Sequence, residues 1–127
     1  MAYRANGNDQ KLFEEAFRLM DLAVEIFKVK RKWMDLMIKE NRIPFATQRP
    51  LDPHTRQRGP PAVDFNELVY TIGLVGGNEM AQWHTGYQLH EHPEAVKILV
   101  RLILEMQKYK KELEARHGIK IALARTP

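Results

Sequence analysis

One stretch, Val69–Met80, reads VYTIGLVGGNEM and constrains the fold more than any other part of the chain. Val69, Tyr70, Thr71 and Ile72 are β-branched or aromatic. The run continues through Gly73, Leu74 and Val75 until Gly76-Gly77 breaks it. A short apolar run bounded by a Gly-Gly turn predicts a fully buried strand, with the turn glycines Gly76 and Gly77 supplying φ > 0 or close backbone approach. A strand apolar on both faces needs a layer on each side, which predicts an α/β architecture.

The remaining chain is organised around this strand. Asn6-Gly7-Asn8-Asp9 is a turn cluster, and Asn8 or Asp9 is placed to cap a helix. No Gly or Pro interrupts Gln10 to Arg42, and Leu12, Leu19, Ile26 and Trp33 recur every seven residues. With Phe13, Ala16, Met20, Ala23, Phe27, Met34 and Met37 alongside, the spacing predicts a helix over 10–42. Pro44 is expected to end it. The segment 43–66 carries Pro44, Pro50, Pro53, Pro60 and Pro61 with Arg49, Arg56, Arg58 and Gly59, and reads as a long loop. A strand over 67–75 follows, then a short helix over 78–85 capped by Asn78. A helix over 93–117 opens on Pro93 and Glu94, and Ala95, Leu99, Leu102, Met106, Tyr109 and Leu113 form its seam. Gly118 closes that helix, and Ile119, Ile121 and Leu123 alternate as a strand over 119–124. The fold class is therefore α/β and helix-rich, with two long helices and one right-handed βαβ unit whose strands are parallel. The 127 residues form one domain or a piece of one.

Composition excludes several chemistries. The chain has no cysteine, which rules out disulfides, thiolate metal sites and thiyl chemistry within it. No apolar run is long enough for a membrane span and no secretory core opens the chain, so no membrane partner is expected and a cytoplasmic protein is the default. Twenty Lys and Arg against sixteen Asp and Glu make a mixed surface, not a basic stripe. Arg49–Arg58, with Trp33 and Trp83 elsewhere, lacks the helix-turn-helix or aromatic pattern of a nucleic-acid reader, so its cations are expected to be paired or solvated.

Two polar clusters invite a chemical reading. His84, His90 and His92 with Glu79 and Glu91 have zinc-compatible donors, but His-x-His across a loop fixes no pair on one helical face. Ordinary loop histidines are the expectation, and no metal ligand is assigned. Gly76-Gly77-Asn78-Glu79 follows a strand as a phosphate cradle would. It lacks both the third glycine of a dinucleotide fold and the Lys-Ser/Thr of a P-loop. From the residues alone, Asn78 caps the helix and Glu79 decorates its first turn. No catalytic residue is assigned.

TIGLVGGNEM, the later QLHE and the terminal IALARTP, in this order and spacing, resemble the anaerobic (class III) ribonucleoside-triphosphate reductases. The opening AYRANGND is similar to the segment that follows a barrel strand in archaeal members. The resemblance covers nearly the whole chain and implies an internal piece of a ten-stranded α/β barrel of the glycyl-radical enzymes. It places Gly76–Glu79 at the end of a barrel strand where such folds put their active sites, although the family usually has a larger apolar residue at Gly77. It implies substrate-binding roles for Asn78 and Glu79. By analogy with related reductases it adds Thr126, at the start of a helix whose amides would hold substrate phosphates.

The resemblance also implies what lies elsewhere. The family's glycyl radical and structural zinc are carried outside this chain, as is the cysteine whose thiyl abstracts the ribose hydrogen, so no cofactor is assigned here. The expected partners are the rest of the reductase polypeptide or a complementary fragment, with ribonucleoside triphosphate bound only by the intact enzyme. A different class of reading is a stand-alone helical module that self-associates through its apolar stripes. Both readings leave the isolated chain with uncovered apolar surface, so a homo-oligomer is expected.

Overall fold

A computed structural model describes residues 1–125, and Thr126 lies outside the described residues. The order is α1 (Ala2–Ala5), α2 (Asp9–Lys39), α3 (Pro44–Thr47), β1 (Val69–Leu74), α4 (Gly77–Thr85), α5 (Pro93–His117) and β2 (Lys120–Arg125). The chain divides into two compact units, one formed by Met1–Val24 with the chain from Val69 onward, the other by Glu25–Leu68.

In the first unit, β1 and β2 pair in parallel, with Val69 opposite Lys120 and Leu74 opposite Arg125. The helices α4 and α5 connect them. Asn8 caps α2, its Oδ1 accepting the Lys11 amide at 2.9 Å. Helix α2 then lies along α5. Asp9 meets Arg101, Phe17 stacks on Tyr109 at 4.4 Å, and Asp21 meets Tyr109 and Arg116. Partner numbers rise together, so the two helices run in the same direction. Between them lies the core, with Leu12, Phe13, Ala16, Met20 and Val24 from α2 and Ala95, Ile98, Leu102, Met106 and Leu113 from α5 all buried. The buried stripe of α2 is thus not the Leu12–Leu19–Ile26–Trp33 series. Leu19, Ile26 and Trp33 are exposed, because the partner helix meets residues spaced by four.

The helix ends set the connections. At the start of α5, Pro93 occupies the first turn and His92 Nδ1 accepts the Glu94 amide at 3.2 Å. At its end the Gly118 amide donates to the Glu114 carbonyl at 2.9 Å. The Glu114 side chain then accepts the Ile121 amide at 2.8 Å, tying the start of β2 to the helix that precedes it.

Strand β1 is not buried on both faces. Tyr70, Ile72 and Leu74 are half-buried, while Val69, Thr71 and Gly73 alternate with them and are exposed. A sheet of two strands with α5 on one side has nothing on the other, so the second face stays open among the described residues.

In the second unit, α2 stops at Lys39 and the chain turns through Asn41 at φ 54°, with the Arg42 amide donating to the Met37 carbonyl at 2.9 Å. Pro44 does not terminate this helix. It opens the short α3, where its missing N–H has no helical acceptor to lose. The segment expected as a bare loop also closes on itself. Leu51 and Arg58 form an antiparallel bridge, and Asp52 Oδ1 accepts the His54 and Thr55 amides at 2.8 and 3.2 Å. Arg49 donates to the Gly59 carbonyl and Arg58 to the Arg49 carbonyl, so two of the loop's cations serve its own backbone. Arg31 of α2 holds the loop's far end through the Phe65 carbonyl and Asn66 Oδ1.

Candidate functional site

The strand-to-helix turn forms because Gly76 adopts φ 71°, the left-handed conformation that lets β1 pass directly into α4. Gly76, and not Asn78, is the N-cap. Asn78 sits within the first turn, and its side chain reaches away from the helix. Asn78 Oδ1 accepts the Leu89 amide at 3.0 Å and Nδ2 donates to Gln88 Oε1 at 3.3 Å. Gln88 is held again by its amide donating to Glu91 Oε2 at 2.7 Å. Asn78 therefore clamps the loop between α4 and α5, and that loop presents Leu89.

A cavity of about 500 Å³ opens at the carboxyl ends of the two strands. Ile72 and Leu74 of β1 and Leu123 of β2 line one side, and Leu99, Ile103 and Met106 of α5 the other. The turn Gly76–Glu79, Leu89 and Arg125 complete it. Gly77 belongs there for a steric reason: a Cβ on it would stand 3.3 Å from Leu99 Cδ1. The first amides of a helix have no intrahelical acceptor, so the α4 end offers N–H donors and a positive dipole end. Glu79 in that turn adds a carboxylate, exposed and without a hydrogen bond or ion pair among the described residues. The arrangement can take a ligand with an apolar or planar body and a polar or anionic end. Among the described residues that line it there is no nucleophile–base pair. Of the residues assigned to substrate, the structure brings Asn78 and Glu79 to this cavity, with Asn78 already engaged by the loop.

His84 departs from the sequence expectation. It lies on α4 and its side chain is only 3% exposed, with Nε2 2.9 Å from Asp9 Oδ1. Donation from Nε2 leaves Nδ1 as a buried atom with no hydrogen-bond partner among the described residues. Asp9 in turn receives Arg101 through its other oxygen. His84 shares its helix face with buried Met80 and Ala81, a periodicity visible in sequence. The partner Asp9, in another helix, has no local signal. His92 is likewise occupied, capping α5 and stacking on Tyr87 at 4.6 Å. No group of three or more His, Cys, Asp or Glu among the described residues could hold a metal ion.

The hydrogen bond from His84, with Arg101 assisting against the opposing effect of burial, holds the Asp9 carboxyl below the usual aspartate range. A lowered pKa adds stability that is present above the unfolded value of about 3.9 and lost as pH falls through the folded value. Asp9→Asn is expected to flatten the acid limb of the stability curve below about pH 4. Urea unfolding from pH 7 to 2.5 checks this. An unchanged limb would separate Asp9 from the acid sensitivity.

No helix among the described residues is long and apolar enough to cross a membrane. No curated protein and no solved structure matches the chain. The family model described as anaerobic ribonucleoside-triphosphate reductase matches residues 1–127. With that match over its full length, the chain belongs to the anaerobic ribonucleoside-triphosphate reductase family.

Proposed function

We propose that this chain supplies barrel wall and one edge of the ribonucleotide pocket in a cytoplasmic class III reductase of archaeal type. The observation that carries the reading is the cavity at the carboxyl ends of two parallel strands, bounded by the first turn of a helix. Ligands of parallel α/β folds bind at that end. The open face and edges of the β1–β2 pair are consistent with neighbouring strands from the rest of the reductase polypeptide or a complementary fragment.

Within the pocket the division of labour follows charge. The amide end of α4, with Arg125 beside it and Thr126 next in sequence, favours phosphate oxygens. Glu79 repels phosphate and accepts hydrogen bonds from ribose hydroxyls. Asn78 acts through Leu89 by fixing the loop that narrows the mouth. The radical apparatus of the family, which removes a ribose hydrogen and starts loss of the 2′-hydroxyl, requires a thiol that this chain does not possess. The glycyl radical, the zinc and that thiol would come from other parts of the enzyme.

The test has two readouts. The purified chain, supplied with an activating enzyme and reductant, is expected to form no deoxynucleotide, and detectable product would overturn the assignment of the chemistry elsewhere. Ribonucleoside triphosphate titrated into the intact enzyme, with this segment methyl-labelled, is expected to perturb the resonances of Leu74, Leu89, Leu99 and Leu123. Shifts confined to other residues, or no shifts at millimolar nucleotide, would remove the pocket-edge role.

A further inference from the structure

The two helices that wall the cavity are both fastened to one carboxylate outside it. Asp9, in the first turn of α2, accepts a hydrogen bond from His84 Nε2 of α4 on Oδ1 at 2.9 Å and one from the Arg101 guanidinium of α5 on Oδ2. Neither donor lines the cavity. Arg101 is two residues from both Leu99 and Ile103, which puts it on the opposite side of α5 from those lining residues. Its guanidinium also lies 5.4 Å from the centroid of the Phe13 ring, one turn further along α2, so α5 is held to α2 twice at this level. On α4, Gly77, Ala81 and His84 form one stripe at i, i+4 and i+7. Gly77 rests against Leu99 at the cavity, Ala81 is completely buried, and His84 ends on Asp9.

We propose that Asp9 is a positioning residue for the cavity: by holding His84 and Arg101 on its two oxygens it sets the separation of α4 and α5, and with it the width open to a ligand. The lever is short. Gly77 and His84 are about 10 Å apart along the helix axis, with Ala81 as the buried fulcrum between them. A displacement of His84 is therefore carried to the turn Gly76–Glu79 at roughly its own size. The clamp at the other end of α4 does a different task. Asn78 holds Gln88 and Leu89, which belong to the loop leading into α5, so it shapes the mouth of the cavity and not the distance between the helix bodies.

The chemistry of the three groups suits this task. The His84 side chain is only 3% exposed and turns about two bonds, so Nε2 has little freedom to follow a carboxylate that moves. With Nδ1 buried and without a hydrogen-bond partner among the described residues, the ring is tied through Nε2 alone. An ionised carboxylate accepts from both sides at once. An amide in its place has one acceptor oxygen, and its NH2 would face one of the two donors. Asn8, which caps α2, fixes the turn from which Asp9 projects. Only the identity of the ligand rests on the ribonucleotide-pocket reading; the link from Asp9 to the cavity walls does not.

Asp9→Asn and Arg101→Met, made in the intact enzyme with this segment methyl-labelled, test the link. Lys108→Gln, which breaks an exposed ion pair with Glu105 within α5, is the control. Without nucleotide, the methyl resonances of Leu99, Ile103 and Leu123 are expected to move in the first two variants and not in the control. Leu113, buried near the far end of α5, should hold still in all three. With ribonucleoside triphosphate, Asp9→Asn is expected to raise KM by about tenfold with kcat changed by less than about twofold. The double variant should lose no more than the worse single one, because both arms act through one carboxylate. Asp9→Glu, which restores both oxygens, should recover most of the loss. Arg101→Met leaves the Asp9–His84 bond in place and keeps the test decisive if Asp9→Asn folds poorly. Unmoved cavity methyls with an unchanged KM, or additive losses in the double variant, would overturn the role of Asp9. Nucleotide that leaves the Leu99 methyls of the unaltered enzyme in place would sink the pocket reading instead, and the ligand-free shifts would still decide between a linked and an unlinked Asp9.

Discussion

Leu102→Ala is expected to lower the unfolding free energy by about 2–5 kcal/mol, the range for a buried leucine whose removal leaves a cavity. Leu102 is completely buried on the face of α5 that meets α2, as are Leu12, Val24 and Leu113. The helices on either side are tied by polar contacts at both ends, Asp9 to Arg101 and Asp21 to Arg116, which limits their collapse into the space left behind. Against a typical domain stability of about 5–15 kcal/mol, such a loss would remove a large fraction of the total. Leu104, two residues on and 55% exposed, provides the control, and its change to Ala should stay within about 0.5 kcal/mol. Chemical denaturation of the two variants checks the orientation of α5. Equal losses would mean that the wrong face has been assigned to the core.

Gly76→Val is expected to cost more than about 1 kcal/mol, because a β-branched residue is forced into the left-handed region. The penalty is conformational before it is steric. A Cβ at Gly76 would meet only Glu79 Oε2, at an ordinary 3.5 Å. Gly76→Asn, which tolerates the same backbone region, should therefore recover most of the loss. At Gly77 the order reverses: its φ is not left-handed, and the obstacle is Leu99. Thermal melts of Gly76→Val and Gly76→Asn separate the two effects, and equal destabilisation by both would refute the backbone explanation.

The elements themselves were legible because each is punctuated locally. Asn8, Gly76, Pro93 and Gly118 mark ends through backbone chemistry that acts within a few residues. What periodicity did not decide was which of two apolar stripes on α2 the core would use. Leu19, Ile26 and Trp33 satisfied the pattern as well as Met20 and Val24 did, and only the placement of α5 chose between them. Strand β1 is less buried than its composition predicts, for a related reason. The VYTIGLV run has the composition of a strand covered on both sides, but the cover on one side is not among the described residues. At the site, the strand leading into a glycine turn is legible, whereas the cavity beside it depends on Leu99, Ile103 and Met106 of the distant α5. The occupation of Asn78 by Leu89, and of His84 by Asp9, depended on pairs 11 and 75 residues apart, for which sequence carries no signal.

The parallel pairing of β1 with β2 has a kinetic consequence. Each strand's partner lies about fifty residues away along the chain, with α4 and α5 between, so no hairpin can nucleate the sheet. Helix α5 can form from local contacts alone, and Glu114, through its bond to the Ile121 amide, then delivers β2 to β1. The strands are in this sense the last clause of the folding sequence, and among the described residues no third strand pairs with them. The cavity at their ends is consequently assembled from the least locally determined part of the molecule, where a bound ligand or an adjoining strand would have the greatest leverage over whether it is open, shut or absent.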